Sequence, residues 1–393
     1  MSADYLPYLT EKPARLNFAQ LYIASEVTYL PASGSIERAS QKSLSFSDVT
    51  IPSMTIGGTH FWGKADFFVT FPLMKVWQSL EQQKIKFSPG IQTGFKWYVN
   101  QLQYNKLSLF TGFSWSITTF QQKTISLQGA ELTMHRFPFL LGVTLPTKWG
   151  MFEVGTALMA KRNTDYYQNQ SDKMKVNLPS QWLYLSYKFV KESSISSTLE
   201  REQKKFKSDW TLSLGPSSAI QLSNSSYNQA NRPYLQEGHD LSVFPEFGLG
   251  YYFSESDSQV DVVYRDIGFK KSAYGVNQQR KRQSLSLEFY KFFFDYHGFV
   301  PFLGASLSYE HLKVKDDLIL NDIHDYRLTP GLVFGWDIRP NRFPNFILRT
   351  NLRYFPQNKV AIKDGKRISF EHLEFNFIKI VFHPGRMFYE FSP

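Results

Sequence analysis

An all-β chain closed into a transmembrane antiparallel barrel is the fold class that the sequence predicts, and three observations predict it. Apolar and polar residues alternate position by position along strand-length segments between residues 58 and 382. The polar positions are mostly Gly and Ser with single charges, whereas the apolar positions are rich in aromatics and Leu. The connections between segments are alternately short and long. Successive strand residues point to opposite faces, so this pattern gives each strand one apolar and one polar face. A sandwich would set Lys and Glu on its wet face. Small residues with sparse charges suit a crowded, wet interior instead.

Composition agrees. Aromatics make up 17% of the 393 residues, yet the mean hydropathy is -0.32. No segment approaches the ~20 apolar residues that a membrane helix needs. There is no Cys, which removes disulfides, thiolate metal sites and Cys nucleophiles. The residues before 17 have no apolar run, so an exported chain implies a signal peptide already removed. The net charge of +10 is spread along the chain rather than gathered on one segment. It suits an anionic lipid surface better than nucleic acid, and no nucleic-acid partner is expected.

The elements follow in order. In 58–73 the odd positions Phe61, Phe67, Val69, Phe71 and Leu73 face the even positions His60, Lys64, Asp66 and Thr70. The segment reads as one strand with Phe61, Phe67 and Phe71 outward. In 87–98, Phe87, Pro89, Ile91, Phe95 and Trp97 alternate with Ser88, Gly90, Gln92, Gly94 and Lys96. In 107–117, Leu107, Leu109, Phe113, Trp115 and Ile117 alternate with Ser and Gly. The same reading covers 134–147, 150–162, 181–191, 208–221, 243–254, 258–271, 283–295, 299–313, 327–338, 344–356 and 367–382. That is about fourteen strands, most long enough to cross a bilayer at a tilt. Residues 17–30 are also strand-like; counting them makes fifteen, and adding 124–132 makes sixteen. Bacterial single-chain barrels have even counts. The expected division is therefore an N-terminal arm or plug at 1–57, a barrel at 58–382 and a tail at 383–393.

Short connections fall at 98–106, 147–150, 254–259, 295–298 and 339–344, and long ones at 168–181, 223–241, 276–283, 313–326 and 356–367. Outer-membrane barrels pair short periplasmic turns with longer external loops. One long connection, 192–207, falls on the side of the short turns.

At this point the chain resembles the outer-membrane β-barrel superfamily of Gram-negative bacteria. The stretches "GIQTGFKWYV" and "NKLSLFTGFSW" are similar to strand–turn–strand units of orphan barrels of the Bacteroidota. The resemblance implies an outer-membrane location and a closing strand that ends on an aromatic. Phe375, Phe377 and Val381 give that strand its alternation, and Phe391 lies in the tail beyond it.

Parity places Lys64, Asp66, Lys96, Glu153, Lys188, Asp209, Glu246, Asp261, Arg265, Glu288, Glu310, Asp337, Arg349, Arg353 and Glu374 inside. Two readings of these charges stand: a substrate path, or an ion-paired network that fills the barrel. Mixed signs favour the network, since a selectivity ring carries one sign. Phe95, Trp97 and Trp115 join Phe61, Phe67 and Phe71 as lipid-facing residues. His311 and Lys313 share that outer parity, with Ser306 and Ser308 on the other, so no His–Ser pair faces out. No His has i, i+2 or i, i+4 spacing to another, and neither metal nor cofactor is expected. "GGTHFWG" lacks the Lys–Ser/Thr ending of a phosphate loop. Two basic segments, 278–283 with Arg280, Lys281 and Arg282 and 363–367 with Lys363, Lys366 and Arg367, read as external loops for lipopolysaccharide phosphates. The function expected is that of a non-enzymatic accessory or structural subunit of an outer-membrane complex. Its partners would be lipid, lipopolysaccharide and other outer-membrane or periplasmic proteins. The alternative is a channel or transporter for small solutes.

Overall fold

The structure is a computed structural model that describes residues 19–31, 34–38, 41–80, 83–123, 128–161, 163–190, 207–235, 241–295, 298–319, 321–339, 345–356, 358–362 and 364–388. The chain divides into two compact units, residues 1–197 and 198–393.

Strands of the first unit are β1 (Ala19–Leu30), β2 (Ser35–Arg38), β3 (Gln41–Ser45), β4 (Val49–His60), β5 (Ala65–Pro72), β6 (Val76–Leu80) and β7 (Gln83–Tyr98). They continue with β8 (Ser108–Lys123), β9 (Gln128–Arg136), β10 (Phe139–Thr147), β11 (Gly150–Leu158), β12 (Asn163–Tyr167), β13 (Lys173–Asn177) and β14 (Gln181–Val190). Eight of them close a ring in the order β1, β4, β5, β7, β8, β10, β11, β14 and back to β1. All pairings are antiparallel, and Tyr22 opposite Val190 belongs to the closing pair. Within the long connections, β12, β13, β2 and β3 form a separate four-stranded sheet, while β6 and β9 extend β7 and β8.

The second unit holds β15 (Asp209–Gln221), a short helix α1 (Ser226–Asn231), β16 (Leu241–Phe253), β17 (Ser258–Ala273), β18 (Val276–Phe292) and β19 (Phe299–Asp316). Then come β20 (Ile323–Ile338), β21 (Phe346–Phe355), β22 (Lys359–Ala361), β23 (Arg367–Ser369), β24 (His372–Phe382) and a 3-10 turn at Pro384–Phe388. Here β15 to β21 and β24 form a second closed eight-stranded barrel, with β22–β23 as a hairpin in the last long connection.

Two eight-stranded rings therefore replace the single wall of about fourteen strands. Residues 19–30 and 49–57, expected in an N-terminal arm, belong to the wall strands β1 and β4, and β9 is a pendant of β8 rather than part of the ring. Alternation reports neighbours along a strand, not which strand closes the circle. In each unit the first strand starts and the last strand ends at the short-turn side, which is what an even count requires. Segment 191–206, the core of the expected long connection 192–207, lies outside the described residues. So do Lys363 and Phe391.

The stretch 58–73 is a hairpin, not one strand. Phe61 and Trp62 both have φ 54° and Gly63 has φ 76°, so the chain reverses through the left-handed region between β4 and β5. Phe61 and Lys64 consequently sit in the turn rather than on the lipid face and in the lumen. Segment 276–283 is likewise no loop. The reversal is made by Tyr274 (φ 52°) and Gly275 (φ 81°), a two-residue hairpin turn whose twist matches the strands, and β18 runs through the basic stretch.

Exposed Leu21, Ile23, Phe152, Leu183, Leu185 and Phe189 line the outside of the first barrel, and Leu212, Phe247, Leu287, Phe289, Leu307 and Leu332 that of the second. Many of their neighbours along each strand are buried polar residues, among them Glu153, Ser186, Lys188, Glu246, Ser286, Glu288 and Ser308. This is the reverse of a soluble core and matches a wall in lipid. No helix among the described residues is long and apolar enough to cross a membrane.

Candidate functional site: two buried ion-pair networks

The interior of the first barrel centres on four charges from four strands. Lys188 on β14 reaches Asp66 on β5 and Glu153 on β11, both at 2.6 Å, and Lys96 on β7 also pairs with Glu153. Tyr22 donates to Asp66 at 2.7 Å, and Thr144 donates to Glu153 at 3.0 Å. The Lys96 ammonium lies 4.5 Å from the Phe68 ring centre. Two ammoniums balance two carboxylates, and all four groups are buried.

The second barrel has three interior layers. Towards the short turns Tyr252, Tyr290, Phe292, Val300, Phe302 and Val333 form an apolar cluster. Beneath the long connections Tyr227 of α1 packs with Leu312, Val314, Val360, Ile368 and Phe370. The main ionic layer involves Arg353, which makes a two-pronged contact with Glu246 at 2.8 Å on each oxygen and reaches Glu288 at 2.8 Å. Lys379 adds 2.7 Å to Glu246, and Arg265 bridges Glu288 at 2.7 Å and Glu374 at 3.2 Å. Arg282 pairs with Glu310 and Glu374, and His372 lies 2.8 Å from Glu374. Arg349 holds Asp337 at 2.7 Å, donates to the Gln259 amide oxygen at 2.9 Å and faces Asp261 at 3.6 Å. Burying an ion is costly unless it is paired and hydrogen-bonded, and here strands distant in sequence supply the partners.

The structure places Asp66, Lys96, Glu153 and Lys188 in one network, and Glu246, Asp261, Arg265, Glu288, Glu310, Asp337, Arg349, Arg353 and Glu374 in the other unit. Asp209 stands half-buried at the first residue of β15, and Lys64 points its ammonium to the Val99 carbonyl at 3.4 Å. Arg282, Arg280, Lys379 and His372 were not in the expected interior set. The sequence expectation puts Arg282 and Arg280 in an external loop, but both are buried because the inward parity of Glu288, Ser286 and Ser284 continues down β18. Extending that alternation to residue 278 would have found them. Lys379 breaks the parity of Glu374 and Asn376, because the register shifts between those residues and Lys379 on both flanks of β24. A bulge inserts one residue and turns the following side chains to the other face. A bulge in β7 between Pro89 and Gln92 does the same, bringing Phe87 and Ile85 inside.

Outside, Phe95 and Trp97 are exposed, and Phe67, Phe71 and Trp115 are half-buried, with Phe67 against Phe95. Lys281 is on the outer face, 2.9 Å from Asp266, while Lys366 is half-buried and Arg367 exposed beside the β22–β23 hairpin. His311 and His324, on the paired strands β19 and β20, stack with ring nitrogens 2.9 Å apart, and Tyr326 stacks on His311. No cluster of three or more His, Cys, Asp or Glu suited to a metal occurs among the described residues.

Closed antiparallel rings, apolar outer bands and charged interiors define the class: these are β-barrels of the transmembrane kind. No protein-family model matches the chain, and no curated protein matches it. It is similar to solved outer-membrane structures. Neisserial surface protein A is 20% identical over 45% of this chain and 99% of its own, with a TM-score of 0.34. The attachment invasion locus protein Ail of Yersinia pestis is 12% identical over 45% and 99%, with a TM-score of 0.29. An outer membrane channel from Pseudomonas putida F1 is 9% identical over 95% and 98%, with a TM-score of 0.23.

Proposed function

We propose that the protein is a non-enzymatic outer-membrane scaffold, an accessory or structural subunit whose two barrels are sealed anchors and whose long connections are its working surfaces. The carrying observation is the filling of the second barrel. Arg353 is fully buried, bonded to both Glu246 and Glu288, and apolar layers lie towards both ends of the strands. Eight strands enclose a space that side chains can fill, so a wall of this size suits a plug better than a pore. Lipopolysaccharide and other outer-membrane or periplasmic proteins are the proposed partners, met by the half-exposed Lys281, by the exposed Arg367 and by the sheet of β12, β13, β2 and β3. The likeness to barrels of the Bacteroidota rests on the strand–turn–strand stretches alone.

The test is conductance together with co-purification. Wild type in planar bilayers should be silent, and extraction from its native membrane in mild detergent should bring a stoichiometric partner. Steady single-channel steps would refute the sealed-anchor reading.

A second reading is a channel for small solutes. Some of the similar structures are monoaromatic hydrocarbon channels. On this chain, the observation in its favour is a cavity of about 30 Å³ inside the first barrel. Solute uptake into proteoliposomes that exceeds uptake into empty ones would establish it.

A further inference from the structure

We propose that the outer part of the first barrel is a blind cup that binds a small zwitterion of amino-acid size. This inference rests on the sealed-lumen reading for the cup's closed end, and its test is separate.

The cavity lies inside the ring and is lined by Glu26, Arg136, Ser116, Gln92, Phe87 and Trp182, among others. On β5, β7 and β14 its residues (Thr70, Gln92, Trp182) are nearer the long connections than the ionic residues of the same strands (Asp66, Lys96, Lys188). It reaches the strand ends at Leu30 and Pro72. The ionic quartet thus forms the floor, and the mouth is at the side of the long connections.

The floor is electrically complete, but the cup is not. Glu26 is 8% exposed and has no ion pair among the described residues. Its hydrogen bonds are long, 3.4 Å from Thr28 and 3.5 Å from Thr55, and the Thr55 hydroxyl is also engaged with Thr70 at 2.7 Å. A buried carboxylate without a cation is unfavourable, so the site is built to gain from one. Arg136 lines the same cavity. One arm of its guanidinium bonds the Pro179 carbonyl, while Nη1 is buried without a hydrogen-bond partner. The Ser116 hydroxyl is also buried without one. One unmatched acceptor and one unmatched cationic donor share a cavity with the apolar walls of Phe87 and Trp182. An ammonium on Glu26 and a carboxylate on Arg136 satisfy both, and a short carbon spacer occupies the space between. The volume of about 30 Å³ takes the centres of two or three waters, which corresponds to a ligand of a few heavy atoms.

The experiment is isothermal titration of the full chain in detergent with glycine, β-alanine, ethylammonium and acetate. One zwitterion should saturate at one site per chain, at least about tenfold tighter than either single ion, because each charge-assisted hydrogen bond contributes about that factor. Glu26→Gln and Arg136→Gln should each weaken it by about tenfold or more. Ser116→Val, which fills the cavity without removing a charge, should abolish it. Retained heat-modifiable migration on gels shows that each variant is folded. Absence of saturable binding by either zwitterion in folded wild type overturns the proposal, as does equal binding of a single ion or unchanged binding in folded Glu26→Gln. Channel steps with intact zwitterion binding would refute the sealed floor and leave the ligand site standing.

Discussion

Tyr22 on β1 lies opposite Val190 on β14, and that pairing closes the first barrel within the N-terminal half of the chain. Its neighbours Ile23 and Phe189 are also opposite each other, and both are exposed on the outer wall. In the second barrel, Leu214 and Ile380 hold the equivalent place between β15 and β24.

These closures predict disulfides. The chain has no cysteine, so Ile23→Cys with Phe189→Cys, and separately Leu214→Cys with Ile380→Cys, give clean probes. Both pairs should cross-link on mild oxidation in membranes, as seen by gel shift. A single large barrel would leave Ile23 and Phe189 apart and the first pair reduced.

The outer band predicts sensitivity to charge. Leu185→Arg or Leu287→Arg should cost about 2–4 kcal/mol near the bilayer midplane and lower the yield of folded protein. Lys281→Ala, which removes a half-exposed pair with Asp266, should change stability by about 0–1 kcal/mol. Urea titration followed by heat-modifiable migration measures both.

The ionic layer predicts a large effect from one residue. Arg353→Met leaves Glu246 and Glu288 without their shared guanidinium, and loss of one partner from a buried pair costs about 3–5 kcal/mol. The midpoint of urea unfolding should fall accordingly. A shift no larger than that of Lys281→Ala would mean that the network does not hold the barrel together.

Just past β24, His383 gives a pH dependence. Burial, then the nearby Arg386, Arg349 and Arg339, push its pKa down to about 2. The folded value is below the unfolded one, so protonation favours opening. The cost is absent above about pH 6.5 and grows as pH falls towards the folded value. Hydrogen exchange of the backbone amides of residues 383–388 should quicken between about pH 6 and 4, and His383→Gln should flatten that response. Equal acceleration in both proteins would assign the effect to other groups.

Much was legible in the sequence because strand parity is a local property. The alternation in 181–190 or 299–316 locates strands, separates Leu185 from Ser186 and puts Glu310 inside with Leu307 and Tyr309 outside. The apolar outside and charged inside follow from that, and so does the membrane class. Parity carries across a strand only while the ladder is regular. At the bulges near residues 89–92 and 376–379 it reverses, which hid Phe87 and Lys379. Phe61 and Trp62 are poor signals for a turn, since bulky residues rarely adopt positive φ, so parity alone gives one strand where two stand. Ring membership is decided by the tertiary structure alone. Whether β14 turns back to β1 or goes on to β15 depends on twist, tilt and the fit of Lys188 against Glu153 and against Asp66, a residue 122 positions away. The sequence by itself determines a lipid-facing wall with a charged interior; only closure determines that there are two small, filled barrels rather than one wide one.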